Sequence, residues 1–262
     1  MRKAFFVVCS ALIALASPAI AQPLERGEFA GSVNLGADFP VGGDVHGGAI
    51  SPIADLGPLN PALAGVAAEL RIQSRSFDDI YGEGTAFGLE GAYGLGSNRE
   101  LFVAVGRTQA DEARVQVGGA FVPALSATLP VFGQFGEFTS TSVEAGLRQY
   151  FGGEGALQPY VAGRVGAAFT DEIRATFTIP DAAIAINNVA FYDDSTTFVI
   201  GADIGVSYAV TERFSIGAET GVRYTTGLED NDSAIGGLGL ARINDEGERL
   251  SIPVLVRARI AF

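Results

Sequence analysis

Charged side chains that could form ion pairs recur at alternating positions along the chain. Near the C-terminus the segment SIPVLVRARIAF carries Arg257 and Arg259 two residues apart, each between apolar neighbours. Residues two apart lie on the same face of a strand, so this segment predicts a strand with one apolar and one cationic face. The same alternation elsewhere places seven more charged residues on one face: Glu90, Glu144, Arg148, Arg164, Asp203, Glu219 and Arg223.

These nine residues would share a narrow interior if their strands closed into a barrel. Buried charges of both signs must pair or remain hydrated, because an isolated buried charge is costly. We therefore predict an ion-pair network inside the fold. It has two functional interpretations, a polar plug that also sets strand register and a gate or narrow charge-lined ion path, and we favour the plug.

His46 is the only histidine, and it lies in the glycine-rich segment VGGDVHGGAIS with Asp44 and Ser51 nearby. An acyl-transfer site needs serine, histidine and an acid held in hydrogen-bonding geometry by rigid elements. A mobile glycine loop would not hold them in that geometry. We predict no catalytic residues and no enzymatic activity, with a lipid-modifying enzyme as the remote alternative.

Acidic residues cluster in LEDNDSAIGGLG and RINDEGER, at 228–239 and 242–249. The spacing matches neither an EF-hand loop nor the glycine-rich calcium nonapeptide. We interpret the segment 226–248 as a solvated acidic loop, with a loose divalent-cation contact as the alternative. No metal and no cofactor are predicted.

The N-terminus has the pattern of a secretory signal peptide. Arg2 and Lys3 precede an apolar stretch, and Ala19-Ile20-Ala21 forms a small-residue cleavage site. We predict a signal peptide over 1–21 and a single domain over 22–262. The alternative, a retained anchor, needs about 20 apolar residues, and the apolar stretch is shorter.

The mature chain would have no cysteine, and 15 basic against 30 acidic residues give it a net charge of −15. This net negative charge argues against nucleic-acid binding.

Eight segments of the remaining chain alternate with period two over about ten residues, the length that a tilted strand needs to cross a bilayer. Short links alternate with long ones, as periplasmic turns and outer loops do in membrane barrels. We predict an all-β fold, an eight-stranded antiparallel up-and-down transmembrane β-barrel with long extracellular loops. The strands are predicted at 29–39, 85–95, 100–109, 139–151, 158–170, 196–209, 213–225 and 249–262.

The alternative is a soluble periplasmic β-protein, which would turn its apolar faces inward. An eight-stranded barrel is only just wide enough to be filled by side chains. The apolar set carries large aromatics near the strand ends and is too bulky for that interior, whereas the set of small and charged residues fits. Aromatics at strand ends also suit the two membrane interfaces, so we place the apolar set toward lipid.

Details of the loops and of one strand are also predicted. Alternation resumes after the acidic pairs at 111–112 and 171–172, which predicts strands that extend beyond the bilayer as a protruding sheet. Asn60 followed by Pro61 predicts a short helix. Pro253 withholds one hydrogen bond from its strand, and we expect a bulge there or a position near the outer rim.

These features together resemble the OmpA/OmpX-like outer-membrane β-barrel superfamily, in the branch called porin-family or opacity-type proteins. The resemblance rests on the strand pattern, on hairpins such as GLEGAYGLGSNRELFVAVG and GADIGVSYAVTERFSIGAETGVRY, and on the ending VLVRARIAF. It covers essentially the whole mature chain. It implies a Gram-negative outer membrane, contact with its lipids and lipopolysaccharide, and a monomer.

The resemblance also implies that Phe262 is part of the C-terminal signal read by the barrel-assembly machinery. No periplasmic OmpA-like domain is expected, because the sequence stops at that residue. The expected role is structural or surface-interacting, with an ion-paired, mostly plugged lumen. A narrow porin-like channel for ions or small solutes and an adhesin or host-interaction protein are the alternatives.

Overall fold

The structure, a computed structural model, describes residues 23–152 and 155–262. The predicted signal peptide lies outside the described residues. The strands in chain order are β1 (Phe29–Gly42), β2 (Asp44–His46), β3 (Ala49–Ile53), β4 (Ala68–Ile72), β5 (Arg75–Ser76), β6 (Gly84–Gly96), β7 (Arg99–Ala110), β8 (Ala113–Val122), β9 (Ala127–Phe135), β10 (Phe138–Tyr150), β11 (Leu157–Thr170), β12 (Ile173–Ile179), β13 (Ile184–Tyr192), β14 (Ser195–Ala209), β15 (Phe214–Thr225) and β16 (Arg249–Ala261).

Eight long strands close into a barrel in the order β1, β6, β7, β10, β11, β14, β15 and β16. Every neighbouring pair is antiparallel, and β16 closes the barrel by pairing with β1. The prediction of an eight-stranded antiparallel up-and-down barrel is confirmed, and the predicted strand ends lie within three residues of the observed ones. Closure matters because it leaves no sheet edge with unpaired backbone groups.

The tight links lie at one end of the barrel. Between β6 and β7 the chain turns on Ser97 and Asn98, which have φ angles of 55° and 59°, as a two-residue type I′ hairpin requires. At the other end, the bulge predicted at Pro253 is absent, and Pro253 lies in the outer half of β16, as its fifth residue from the outer rim. That proline pairs with Asp38 in regular register, and the shift in the β1–β16 ladder falls between Pro40 and Gly42.

The outer surface of the barrel is apolar. Side chains such as Val33, Leu89 and Val256 are 46%, 53% and 64% exposed, as the assignment of the apolar set to the outside predicts. Exposed aromatics gather at both ends, and on β1 Phe29 and Phe39 mark the two groups. Ten residues of a tilted strand cover about 25 Å along the barrel axis, which equals the height of the apolar band of a membrane barrel.

Above the barrel, residues 43–83, 111–137, 171–194 and 226–248 form what we call the outer cap. Its main element is a six-stranded sheet in the order β13, β12, β9, β8, β4, β3. Strands β8 and β9 continue the barrel hairpin of β7 and β10, which confirms the predicted protruding sheet. The cap has its own core, which includes Phe77, Phe135, Phe191 and Tyr192.

The short helical elements lie in the cap. Helix α1 (Phe77–Ile80) packs beneath the sheet, and its Phe77 ring contacts Phe138 of β10 at 5.8 Å between centroids. The predicted helix after Asn60 is a single 3₁₀ turn, Pro61–Leu63, and the Asn60 side chain accepts a hydrogen bond from the Ala62 backbone N–H. None of the helices in the described ranges is long and apolar enough to span a membrane.

A charged side chain on the apolar band should destabilise the barrel if the band faces lipid, and should have little effect if the band faces water. Val103, half-exposed in the middle of β7, is the test position. We expect Val103→Arg to lower the free energy of unfolding by about 2–4 kcal/mol, measured by urea unfolding in lipid vesicles.

Leu125 is the matched control for this substitution, because it is 65% exposed but lies on a cap turn. Leu125→Arg should change the free energy of unfolding by less than about 0.5 kcal/mol. Equal losses at both positions would contradict a lipid-facing band.

Candidate functional site

The nine charged residues predicted to share the interior all face it. Eight of them have less than 9% of their surface exposed: Glu90, Glu144, Arg148, Arg164, Asp203, Glu219, Arg257 and Arg259. Arg223 is slightly more open, with a side chain 11% exposed. Their contacts form three tiers along the barrel axis, which begin at the end with the tight turns.

The first tier, at the tight-turn end, joins Arg259 of β16 to Glu100 of β7. Two guanidinium nitrogens of Arg259 bind the two carboxylate oxygens of Glu100 at 2.6 and 2.8 Å. Tyr150 Oη accepts a hydrogen bond from Arg259 at 2.8 Å. The carboxylate also accepts the backbone N–H of Leu24 at 3.3 Å, so the first described residues lie at the mouth of the barrel.

The second tier crosses the lumen. Arg148 of β10 makes a bidentate pair with Glu90 of β6, at 2.8 and 2.9 Å. Arg257 bridges Glu90 and Glu219 of β15 at 3.2 and 2.8 Å. The side chains of Arg148 and Glu90 are 0% exposed, and Tyr160 Oη donates to Glu219 at 2.9 Å. Paired guanidinium and carboxylate groups therefore fill this cross-section.

The third tier lies toward the cap. Arg164 of β11 binds Asp203 at 2.6 Å and Glu219 at 3.0 Å. Arg223 binds the other oxygen of Asp203 at 2.6 Å and reaches Glu144 at 3.5 Å. Because Glu219 belongs to the second tier as well, the two tiers form one continuous network.

One further ion pair joins Asp38 and Arg249 above the third tier. Among the described residues of the barrel, the ion-paired interior thus contains six carboxylates and six guanidinium groups. The charges balance, so the net negative charge of the chain lies outside the lumen.

The prediction that only small and charged residues fill the interior was incomplete. Phe102, Tyr150 and Tyr160 are also inside and buried, and the Arg148 guanidinium stacks on Phe102 and Tyr160 at 4.7 and 5.0 Å. Each ring lies an even number of residues from an inward charge on its own strand. Phe102 is two residues from Glu100, Tyr150 is two from Arg148, and Tyr160 is four from Arg164. Strand parity could therefore have placed Tyr150, Tyr160 and Glu100 in the interior.

Inward glycines make room for these rings. A Cβ atom on Gly146 would come within 2.4 Å of the Phe102 ring, and one on Gly205 would come within 2.4 Å of Tyr160. Both contacts are far shorter than van der Waals distance. The narrow barrel accommodates the rings of Phe102 and Tyr160 because the residues paired with them on the neighbouring strands, Gly146 and Gly205, have no side chain.

The outer half of the lumen retains some space. A cavity of about 120 Å³ lies between the third tier and the cap, lined in part by Asn34, Ser142, Glu144 and Arg223. The space does not extend through the second tier, where the side chains of Arg148 and Glu90 are fully buried and that of Arg257 is 4% exposed.

The structure corrects the interpretation of His46 as a residue of a mobile loop. It lies in strand β2, is 2% exposed and packs against Phe135 in the cap core. Its Nδ1 lies 3.1 Å from the Gly47 carbonyl oxygen, and the Ser51 hydroxyl donates to the Leu238 carbonyl at 2.6 Å. His46 Nδ1 and the Ser51 hydroxyl therefore each have a backbone carbonyl as partner. The absence of enzymatic activity stays a prediction.

The acidic segment 226–248 is only partly the solvated loop that the sequence suggested. Its Ile235, Leu240 and Ile243 are buried in the cap core. Three carboxylates, of Asp230, Asp232 and Asp245, lie within 4.8 Å of one another on its outer side. The Asp232 carboxylate accepts a hydrogen bond from the backbone N–H of Arg242. The prediction that no metal binds stays a prediction. A hydrogen bond with Asp44 raises the pKa of Glu246 in the same segment.

The fold and its interior define a class of protein. A closed antiparallel barrel of eight strands, apolar outside and charged inside, has the architecture of the transmembrane β-barrels of bacterial outer membranes. A soluble barrel has the opposite distribution of apolar and charged side chains.

Solved outer-membrane proteins are similar to this chain. Neisserial surface protein A is 15% identical, with 89% of this chain and 97% of that chain covered and a TM-score of 0.42. Ail, the attachment invasion locus protein of Yersinia pestis, is 15% identical over 91% and 100%, with a TM-score of 0.40. The outer membrane protease OmpT of Escherichia coli is 8% identical over 90% and 97%, with a TM-score of 0.44. No family model matches the chain, and no curated protein sequence does.

Removal of Arg148 alone should be strongly destabilising, because it leaves Glu90 with less compensation inside the barrel. We expect Arg148→Met to lower the free energy of unfolding by about 3–5 kcal/mol. The double variant Glu90→Gln with Arg148→Met should lose less than Arg148→Met alone, since no unpaired charge remains. Urea unfolding in vesicles measures both, and a double variant that loses as much as Arg148→Met or more would contradict the pairing.

His46 should make stability depend on pH. Burial lowers the pKa of its imidazole below the ordinary value, and the nearby charge of Arg75 lowers it further. The unfolded chain therefore binds the proton more tightly, and the folded state loses stability as pH falls below about 6.5, by at most about 1.4 kcal/mol per pH unit. Urea unfolding at pH 7.5 and 5.0 should show a smaller pH effect in His46→Phe than in the parent protein.

Proposed function

We propose that this protein is a monomeric outer-membrane barrel with a structural and surface-contact role, and that its interior ion-pair network seals the lumen. The observation that carries the proposal is the second tier, where Arg148, Glu90 and the rings of Phe102 and Tyr160 fill the cross-section with almost no exposed surface. Paired charges of balanced sign form a neutral plug that needs no counter-ion.

The outer surface supports residence in an outer membrane. The apolar band and the aromatic groups at both ends match the hydrocarbon thickness and the two interfaces of such a bilayer. Lipids would contact this band, and lipopolysaccharide would contact the part of the barrel next to the cap. The assembly role of Phe262 stays a prediction. In the structure this residue is 76% exposed, and its N–H binds the Phe29 carbonyl at 2.8 Å.

A narrow channel for ions or small solutes is the second candidate. The cavity of about 120 Å³ in the outer half of the lumen favours it, because only the three charged tiers and the segment at Leu24 separate that space from the tight-turn end. The plug and channel proposals differ in one measurable quantity, the conductance of the unmodified protein.

Conductance in planar bilayers tests the plug. The parent protein should show no openings above background, because the second tier leaves no hydrated path. Removal of the central pair in the double variant Glu90→Ala with Arg148→Ala should produce openings, since two large side chains leave the cross-section. Folding of the variant is checked by heat-modifiable gel migration.

The exposed ion pair of Glu69 and Arg71 on the cap sheet provides a matched control. The double variant Glu69→Ala with Arg71→Ala removes the same kinds of side chain and should remain silent. Steady openings of the parent protein would overturn the plug and support the channel.

A further inference from the structure

A second cavity lies in the outer cap, between the six-stranded sheet and the segment 226–248, and no step of the proposed function uses it. About 60 Å³ is free inside it. The sheet contributes apolar side chains on one side, and Ile235, Leu238, Leu240 and Ile243 cover the other. The cavity is separate from the cavity in the lumen, with which it shares no lining residue.

The lining of the cavity suits a small organic molecule better than water. A water molecule needs about 10–15 Å³ of such free volume and two to four polar partners. The cavity offers room for several waters, but apart from His46 and Thr178 its lining side chains are aliphatic or aromatic hydrocarbon. Apolar cavities of this kind stay dry and bind compact apolar molecules.

Two residues that line this cavity each have a polar atom without a partner among the described residues. These atoms are Nε2 of His46 and Oγ1 of Thr178, both buried. Because Nδ1 of His46 faces the Gly47 carbonyl at 3.1 Å, Nδ1 carries the hydrogen in the neutral ring, and Nε2 is left as an acceptor. A buried acceptor without a donor is unfavourable, so a ligand that donates to it would remove that cost.

The cavity can be reached from the surface of the cap. Leu59, Ile72, Phe177, Ile186 and Leu238 line it and are all partly exposed. His46 is 2% exposed and lies at its inner part, against Phe135 and Phe191. An entering molecule would therefore meet hydrocarbon first and the imidazole last.

We propose that this cavity binds a small neutral molecule with an apolar body and one hydroxyl or N–H group, which donates a hydrogen bond to Nε2 of His46. A single aromatic ring with a hydroxyl, or an alkyl chain of similar size that ends in a hydroxyl, has this chemistry. An ionised carboxylate does not fit, since the cavity would strip it of water and Nε2 of the neutral ring cannot donate to it. The site is independent of the sealed lumen.

The chain contains a single histidine, which makes the test direct. Untagged protein labelled with ¹⁵N-histidine in lipid nanodiscs gives one pair of imidazole signals. Phenol and toluene are the probes, because both have a single aromatic ring and only phenol carries a hydroxyl group. At equal free aqueous concentrations, phenol should shift the Nε2 signal saturably and bind about 3- to 10-fold more tightly than toluene, as one neutral hydrogen bond allows.

Two variants separate the hydrogen bond from the cavity. His46→Phe keeps an aromatic ring against Phe135 but removes the acceptor. In this variant, ¹³C-methyl signals of isoleucines such as Ile235 and Ile243 report binding, and the affinity for phenol should fall to that for toluene. Leu238→Trp at the partly exposed rim should abolish binding of both probes, whereas the matched Leu125→Trp on a distant cap turn should not.

Absence of a saturable shift with phenol in the parent protein would overturn the proposal and leave the cavity as an apolar packing defect only. Equal affinities for phenol and toluene would remove the role of His46. Unchanged phenol shifts in Leu238→Trp would place the binding elsewhere, in the lipid or on the barrel. If His46→Phe does not fold, the comparison of the two probes in the parent protein and in Leu238→Trp still decides the outcome.

Discussion

The structure depends on the pairing of charges that have left water. Each interior arginine lies in a lumen where an unpaired guanidinium would be costly, and each contacts carboxylates from other strands. Arg257 of β16, for example, binds groups on β6, β15 and β1. Such contacts exist only in one register of the strands, so the network aligns the barrel as well as filling it. Glycine-rich strands, whose register is otherwise weakly specified, need this second constraint.

The same constraint determines where the rest of the charge lies. The ion-paired interior is neutral, whereas the chain carries a formal charge of −13. The excess acidic residues therefore lie on aqueous surfaces, and many lie in the cap, including Asp230, Asp232 and Asp245. The apolar band between the two aromatic groups carries almost none of them. Charge is thus sorted among the lumen, the lipid-facing surface and the aqueous surface.

Most of the barrel could be predicted from the sequence, because period two survives in every spanning strand and the links differ in length. The interior was harder to predict. Glu100 and Tyr150 follow strand parity but adjoin tight turns, where an exposed position was equally plausible. The cap was hardest, since β3, β4 and β12 are short and their burial depends on contacts with distant segments. His46 illustrates the difficulty, because its glycine-rich neighbours suggest a loop, and only the long-range packing of Phe135 and Phe191 makes it a core residue.

The hairpin of β8 and β9 stands directly on the barrel strands β7 and β10, with two residues at each junction. The ten residues of β8 raise its turn about 30 Å along the strand direction. Because the hairpin is paired along its length, its height is determined by the number of residues rather than by loop flexibility. Insertion of one residue in each strand would turn the side chains beyond the insertion to the opposite face of the hairpin. The tip can therefore move outward only in increments of two residues per strand, about 7 Å each, if the cap core is to stay buried.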